Sequence, residues 1–144
     1  MCEMLEIVKK ILLLAGLLYF AWQDYHTHYI GVVLTIIMGL VGIFISFFVE
    51  GNVAVIWEVL RSMAIGLGLI FIGVVSKESI GMGDGILFLM SGCYLNVFEN
   101  MMLLLRTIFL TGGFAILCLL IGRLREKDRI PMAPFMLTAY VTTL

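Results

Sequence analysis

Residues 30–49 carry no charged side chain and no proline. A membrane span takes about 20 mostly apolar residues at ~1.5 Å rise each. In a bilayer, only helices and closed barrels satisfy every backbone N–H and C=O. This stretch therefore commits its part of the chain to a spanning helix. Five further stretches approach the same pattern: 4–22 (interrupted by Lys9 and Lys10), 53–75, 86–97, 101–122 and 131–144. Charged residues make up 13% of the sequence, against roughly 25% in soluble domains, and the mean hydropathy is +1.15. The expected fold is an all-α polytopic membrane bundle of about six transmembrane helices, one domain over residues 1–144, with the lipid bilayer as its surroundings.

Other classes are disfavoured by what the chain lacks. The net charge is −1 with no basic stripe, so no nucleic-acid partner is expected. Cys2, Cys93 and Cys118 show no CxxC spacing, and a cysteine in an apolar run behaves as a small hydrophobe; a disulfide framework or zinc site is not expected. Lysines precede the first apolar run, as in a signal peptide, but no small-residue cleavage site follows. It reads as a retained span.

Orientation follows from one loop. Residues 123–129 hold four Lys or Arg and mark that loop as cytoplasmic by the positive-inside rule. Counting back, the loops after the third and first spans share that side, while Glu50 and Glu99 fall opposite. Lys9 and Lys10 run against this count and read either as snorkelling to the interface or as part of a surface helix formed by the first residues. Asp24, Asp84 and Pro131-Met132-Ala133-Pro134 then all lie at cytoplasmic span ends.

Asp84 sits in a polar break, Gly81-Met82-Gly83-Asp84-Gly85, between two apolar runs. One reading is structural: a glycine turn in which Asp84 caps the next helix. The other is functional, because a carboxylate at a membrane edge marks a site by default. Asp24, at the same depth, favours the second. Two carboxylates that share a site cannot both ionise easily and titrate as a unit. One can activate a water for attack on a peptide carbonyl while the other protonates the carbonyl oxygen and then the leaving amine. Such chemistry needs no metal and no cofactor.

Gly81-Met82-Gly83-Asp84 matches the GxGD signature of intramembrane aspartic proteases. With Asp24 after the first span and Ile130-Pro131-Met132-Ala133-Pro134-Phe135 late in the chain, the pattern resembles the type IV prepilin peptidase family. The resemblance implies that Asp24 and Asp84 are the catalytic pair, with Gly81, Gly83, Gly85, Pro131 and Pro134 supporting substrate. It implies removal of the short basic leader of prepilins or pilin-like precursors, at the cytoplasmic face of the bacterial inner membrane. It also implies a stand-alone peptidase without the CxxC-bearing N-terminal portion linked to methylation. The chain departs from the family where many members have Lys two residues after GxGD (Ile86 here). It departs again after the first Asp, where Tyr25-His26-Thr27-His28-Tyr29-Ile30-Gly31 replaces an Ile-Pro-Asn stretch.

Several residues keep two readings. His26 and His28 lie two apart, so a helix points them to different sides; they read as interfacial, with His26 a candidate to tune Asp24, rather than as zinc ligands. Pro131 and Pro134 fit either a helix start or an unwound stretch lining a cavity. Gly39 and Gly42, Gly66 and Gly68, and Gly112 and Gly113 are expected to let helices approach, and Arg106 to pair with Glu99 or Glu58. The alternative function is a small transporter or complex subunit that binds protons or cations through Asp24 and Asp84.

Overall fold

The computed structural model describes residues 2–28, 30–76, 82–123 and 130–144. Six helices follow in order: α1 (Cys2–Thr27), α2 (Val32–Glu50), α3 (Ala54–Val75), α4 (Met82–Ser91), α5 (Val97–Leu120) and α6 (Ala133–Val141). They form a helical bundle. Segments 32–49, 54–75 and 97–120 are long and apolar enough to cross a membrane. Large apolar side chains such as Phe44, Phe71, Phe109 and Leu120 point outward, the last two nearly 80% exposed. Such a surface is stable only where lipid is the solvent.

Most expected spans differ from these helices by a few residues, but α4 and α6 differ in kind. At 1.5 Å per residue, 10 and 9 residues give helices of ~15 Å, half a ~30 Å hydrocarbon core. The fourth helix also begins earlier than the apolar run 86–97 suggests. It takes in Gly83, Asp84 and Gly85 and stops at Ser91.

The shortness of α4 is explained by what lies beneath it. Residues 92–95 form a turn in which Cys93, Tyr94 and Leu95 are buried. Non-helical backbone inside a membrane protein is tolerated where protein covers and satisfies it. Here Ser46 Oγ donates to the Cys93 carbonyl at 2.9 Å, and the Tyr94 hydroxyl donates to the Met38 carbonyl at 2.6 Å. Asn100 completes the arrangement. Its Nδ2 donates to the carbonyls of Ser62 (3.1 Å) and Phe88 (3.3 Å), and its Oδ1 accepts from Ser91 Oγ at 2.7 Å. One fully buried amide thus ties α3, α4 and α5 together. Glu99, read from sequence with Asn100 as a turn, instead closes a capping box with Asn96 at the start of α5.

Small residues let α3 and α4 meet backbone to backbone. A Cβ on Gly66 would collide with the backbone of Leu89, and one on Gly92 would lie 2.9 Å from Ser62 and Met63 backbone atoms. Gly42 is covered by the Tyr94 ring. The close approach expected at Gly68, Gly112 and Gly113 is absent: nothing lies within 4 Å of a Cβ there. The apolar core is built on α1 (Leu13, Leu17, Phe20), α4 (Leu87, Phe88, Met90), Leu103 of α5 and α6 (Ala133, Met136, Ala139).

Candidate active site

Both aspartates extend the core-facing stripes of their helices. Leu13, Leu17 and Phe20 are fully buried on α1, and Asp24 is the next position of that 3.6-residue repeat, at 7% exposure. On α4, Phe88 and Ser91 are buried, and Asp84 lies one turn before Phe88. Neither carboxylate is in a loop. Asp24 lies in the last turn of α1 and Asp84 in the first turn of α4. Asp84 is therefore within its helix and not at the cap position.

The folded chain brings these two helix ends together. The carboxylates are close enough for their charges to interact. Asp24 is also held from a third side. Its Oδ2 accepts a hydrogen bond from the backbone N–H of Ala133, at 3.1 Å, where α6 begins. The first N–H groups of a helix have no partner within the helix, and their positive end favours an anion. Pro134 in the first turn carries no N–H, and the Ala133 N–H beside it is the donor that meets the carboxylate. Pro134 thus acts as part of a helix start, and Pro131 precedes it in coil.

A fourth element closes the group. Ile30, just before α2, lies against Gly83, where a Cβ would come within 3.0 Å of its Cδ1. Gly85 has a different duty: it is buried, and a Cβ there would meet Ile70 of α3. It sets the α3–α4 spacing directly beside Asp84. Gly81 lies outside the described residues, as does all of the basic loop beyond Arg123.

The histidines stand apart from this group. His26 is exposed, with Nδ1 3.2 Å from the Trp22 carbonyl and its ring near those of Trp22 and Tyr25. His28 ends α1 with a φ of 53° and donates its N–H to the Asp24 carbonyl. Among the described residues, no three His, Cys, Asp or Glu side chains gather as a metal site would require. Arg106 forms neither expected ion pair; it donates to the Thr142 carbonyl at 3.2 Å, at the end of α6.

Against protein-family models, residues 11–116 match the type IV leader peptidase family. The chain belongs to that family. The match covers both aspartates and most of the bundle, and stops before Pro131 and α6. No curated protein and no solved structure matches the chain. The protein is thus a membrane protein and a leader-peptidase-like protease, a hydrolase. In this peptidase the short α6 presents its N-terminus to Asp24, a contact whose donor lies beyond the matched region.

Proposed function

We propose that this peptidase is an aspartic endopeptidase that removes the short basic leader of type IV prepilins or pilin-like precursors, with Asp24 and Asp84 as its catalytic pair. The observation that supports the reading is that Asp24 and Asp84 sit at helix ends linked through the start of α2, near enough for their charges to act on each other. In this mechanism one proton is shared between them. The ionised partner takes a proton from a water as that water attacks the scissile carbonyl. The protonated partner donates to the carbonyl oxygen, and a proton is later passed to the departing amine. The Ala133 N–H steadies Asp24 throughout.

The substrate's apolar helix lies along the lipid-facing surface, with its basic leader in the cytoplasm of a bacterial cell. Arg123, after α5, belongs to the loop that sets this side by the positive-inside rule.

The test is co-expression with a pilin-like precursor in membranes, comparing the parent with Asp24→Asn and Asp84→Asn. A shortened product from the parent alone is the expected result. Cleavage by either variant overturns the pair.

A further inference from the structure

Gln23 immediately precedes Asp24, and its Oε1 is buried without a hydrogen-bond partner. Buried acceptors are almost always satisfied, and an exception calls for an explanation. Two other buried side-chain oxygens among the described residues lack partners, Ser62 Oγ and Thr111 Oγ1. Neither adjoins a candidate carboxylate in the chain. Ser62 lies by the Asn100 amide, and Thr111 on α5 comes before Phe114, whose ring meets Phe135.

Consecutive helix residues point ~100° apart. While Asp24 reaches α6, Gln23 reaches the start of α2. Its amide lies flat against Gly31, where a Cβ would be 3.4 Å from Nε2 and 3.5 Å from Oε1. The next residue back, Ile30, touches Gly83, which precedes Asp84. Gln23, Gly31, Ile30 and Gly83 therefore form a run of neighbours from the residue before Asp24 to the residue before Asp84. The unused acceptor of Gln23 lies within this run, against Gly31.

A peptide bond must leave the helix to be attacked, and its neighbouring N–H groups then need acceptors. We infer that Gln23 is a substrate-positioning residue whose Oε1, covered in this structure, is uncovered by a turn of its side chain as the precursor enters and then accepts a backbone N–H next to the cleaved bond. This rests on the peptidase reading above. It adds a residue that touches substrate through the main chain and is indifferent to the side chains of the precursor.

The test uses the full-length peptidase in lipid and a synthetic peptide covering the leader and first apolar turns of a pilin-like precursor. Gln23→Met keeps the length and removes the acceptor. It should raise KM about tenfold with kcat within about twofold, as loss of a uniform binding contact does. A scan of N-methylated peptides should find one position that costs the parent about tenfold and Gln23→Met nothing further. An unchanged KM, or N-methyl penalties equal in both proteins, overturns the inference. Should Gln23→Met fail to fold, Gln23→Asn, which withdraws the amide by one methylene, should show the same KM rise; an unchanged KM there overturns it equally. Asp24→Asn runs in parallel. Cleavage persisting in that variant defeats the aspartate pair while leaving the Gln23 comparison readable. A parent that cleaves no peptide defeats both.

Discussion

The carboxylate of Asp24 and the backbone N–H of Ala133 meet at 3.1 Å, across 109 residues of sequence. The contact gives a short helix with little else at its N-terminus a charged partner, and it gives Asp24 a fixed orientation. The same pair sets the register of α6 against α1. Further along, the Tyr140 hydroxyl reaches the Lys10 carbonyl at 3.3 Å, as antiparallel packing requires.

Asp24→Asn and Asp24→Ala are expected to part company in stability though not in activity. Asn keeps an oxygen that can accept from Ala133, so thermal unfolding in lipid should shift by less than ~1 kcal/mol. Ala strands the Ala133 N–H and should cost ~1–3 kcal/mol. Both should lose cleavage. Equal stability of the two would show that the contact does not support α6.

Cleavage should depend on pH as a bell. Two interacting carboxylates sharing one proton lose activity on the acid side, when the base is protonated, and on the alkaline side, when the acid is ionised. The proposed pairing of Asp24 with Asp84 is the physical basis. A profile of kcat/KM with a single limb across the range in which the protein stays folded would contradict a shared proton.

Glycines on α3 should separate sharply by position. Gly66→Ala drives a Cβ into the Leu89 backbone, and overpacking of this kind costs ~1–3 kcal/mol. Because Gly85 is in the same contact and adjoins Asp84, kcat/KM should also fall by about 10- to 100-fold. Gly68→Ala meets open space and should be neutral, or stabilising by up to ~1 kcal/mol. Chemical denaturation with parallel activity assays checks both.

Asn100→Ala removes three hydrogen bonds at the end of α4 remote from Asp84. A loss of ~1–3 kcal/mol is expected, since the Ser91 hydroxyl and the Ser62 and Phe88 carbonyls each lose a buried hydrogen bond. The folded fraction should keep near-normal kcat at low temperature. A large kcat loss without destabilisation would show that Asn100 serves the reaction itself.

How much of this was legible in the sequence varies with the residue. The apolar runs and the scarcity of charge gave a helical membrane bundle, because a bilayer leaves few other ways to satisfy a backbone. Asp24 and Asp84 stood out as carboxylates in apolar surroundings. Asn100 did not. It looked like half of a polar turn, and only its partners on α3 and α4 reveal a buried clamp. Gly85 read as part of a motif and turned out to hold α4 against Ile70. Gly112 and Gly113 read as packing glycines and face open space. A glycine's role depends on what stands opposite it, which its own neighbours in sequence do not encode.

The sequence by itself determined the solvent, the helical class, the order of the landmarks and the residues able to do acid–base chemistry. These follow from local composition and spacing, which act on each segment separately. Only the tertiary structure decided that α4 and α6 are half-length helices, that the Ala133 N–H holds Asp24, and that Gln23 reaches the start of α2 with an acceptor unused. Those are relations between different segments of the chain. They are fixed by which small residues let backbones meet and which polar groups must find partners away from water.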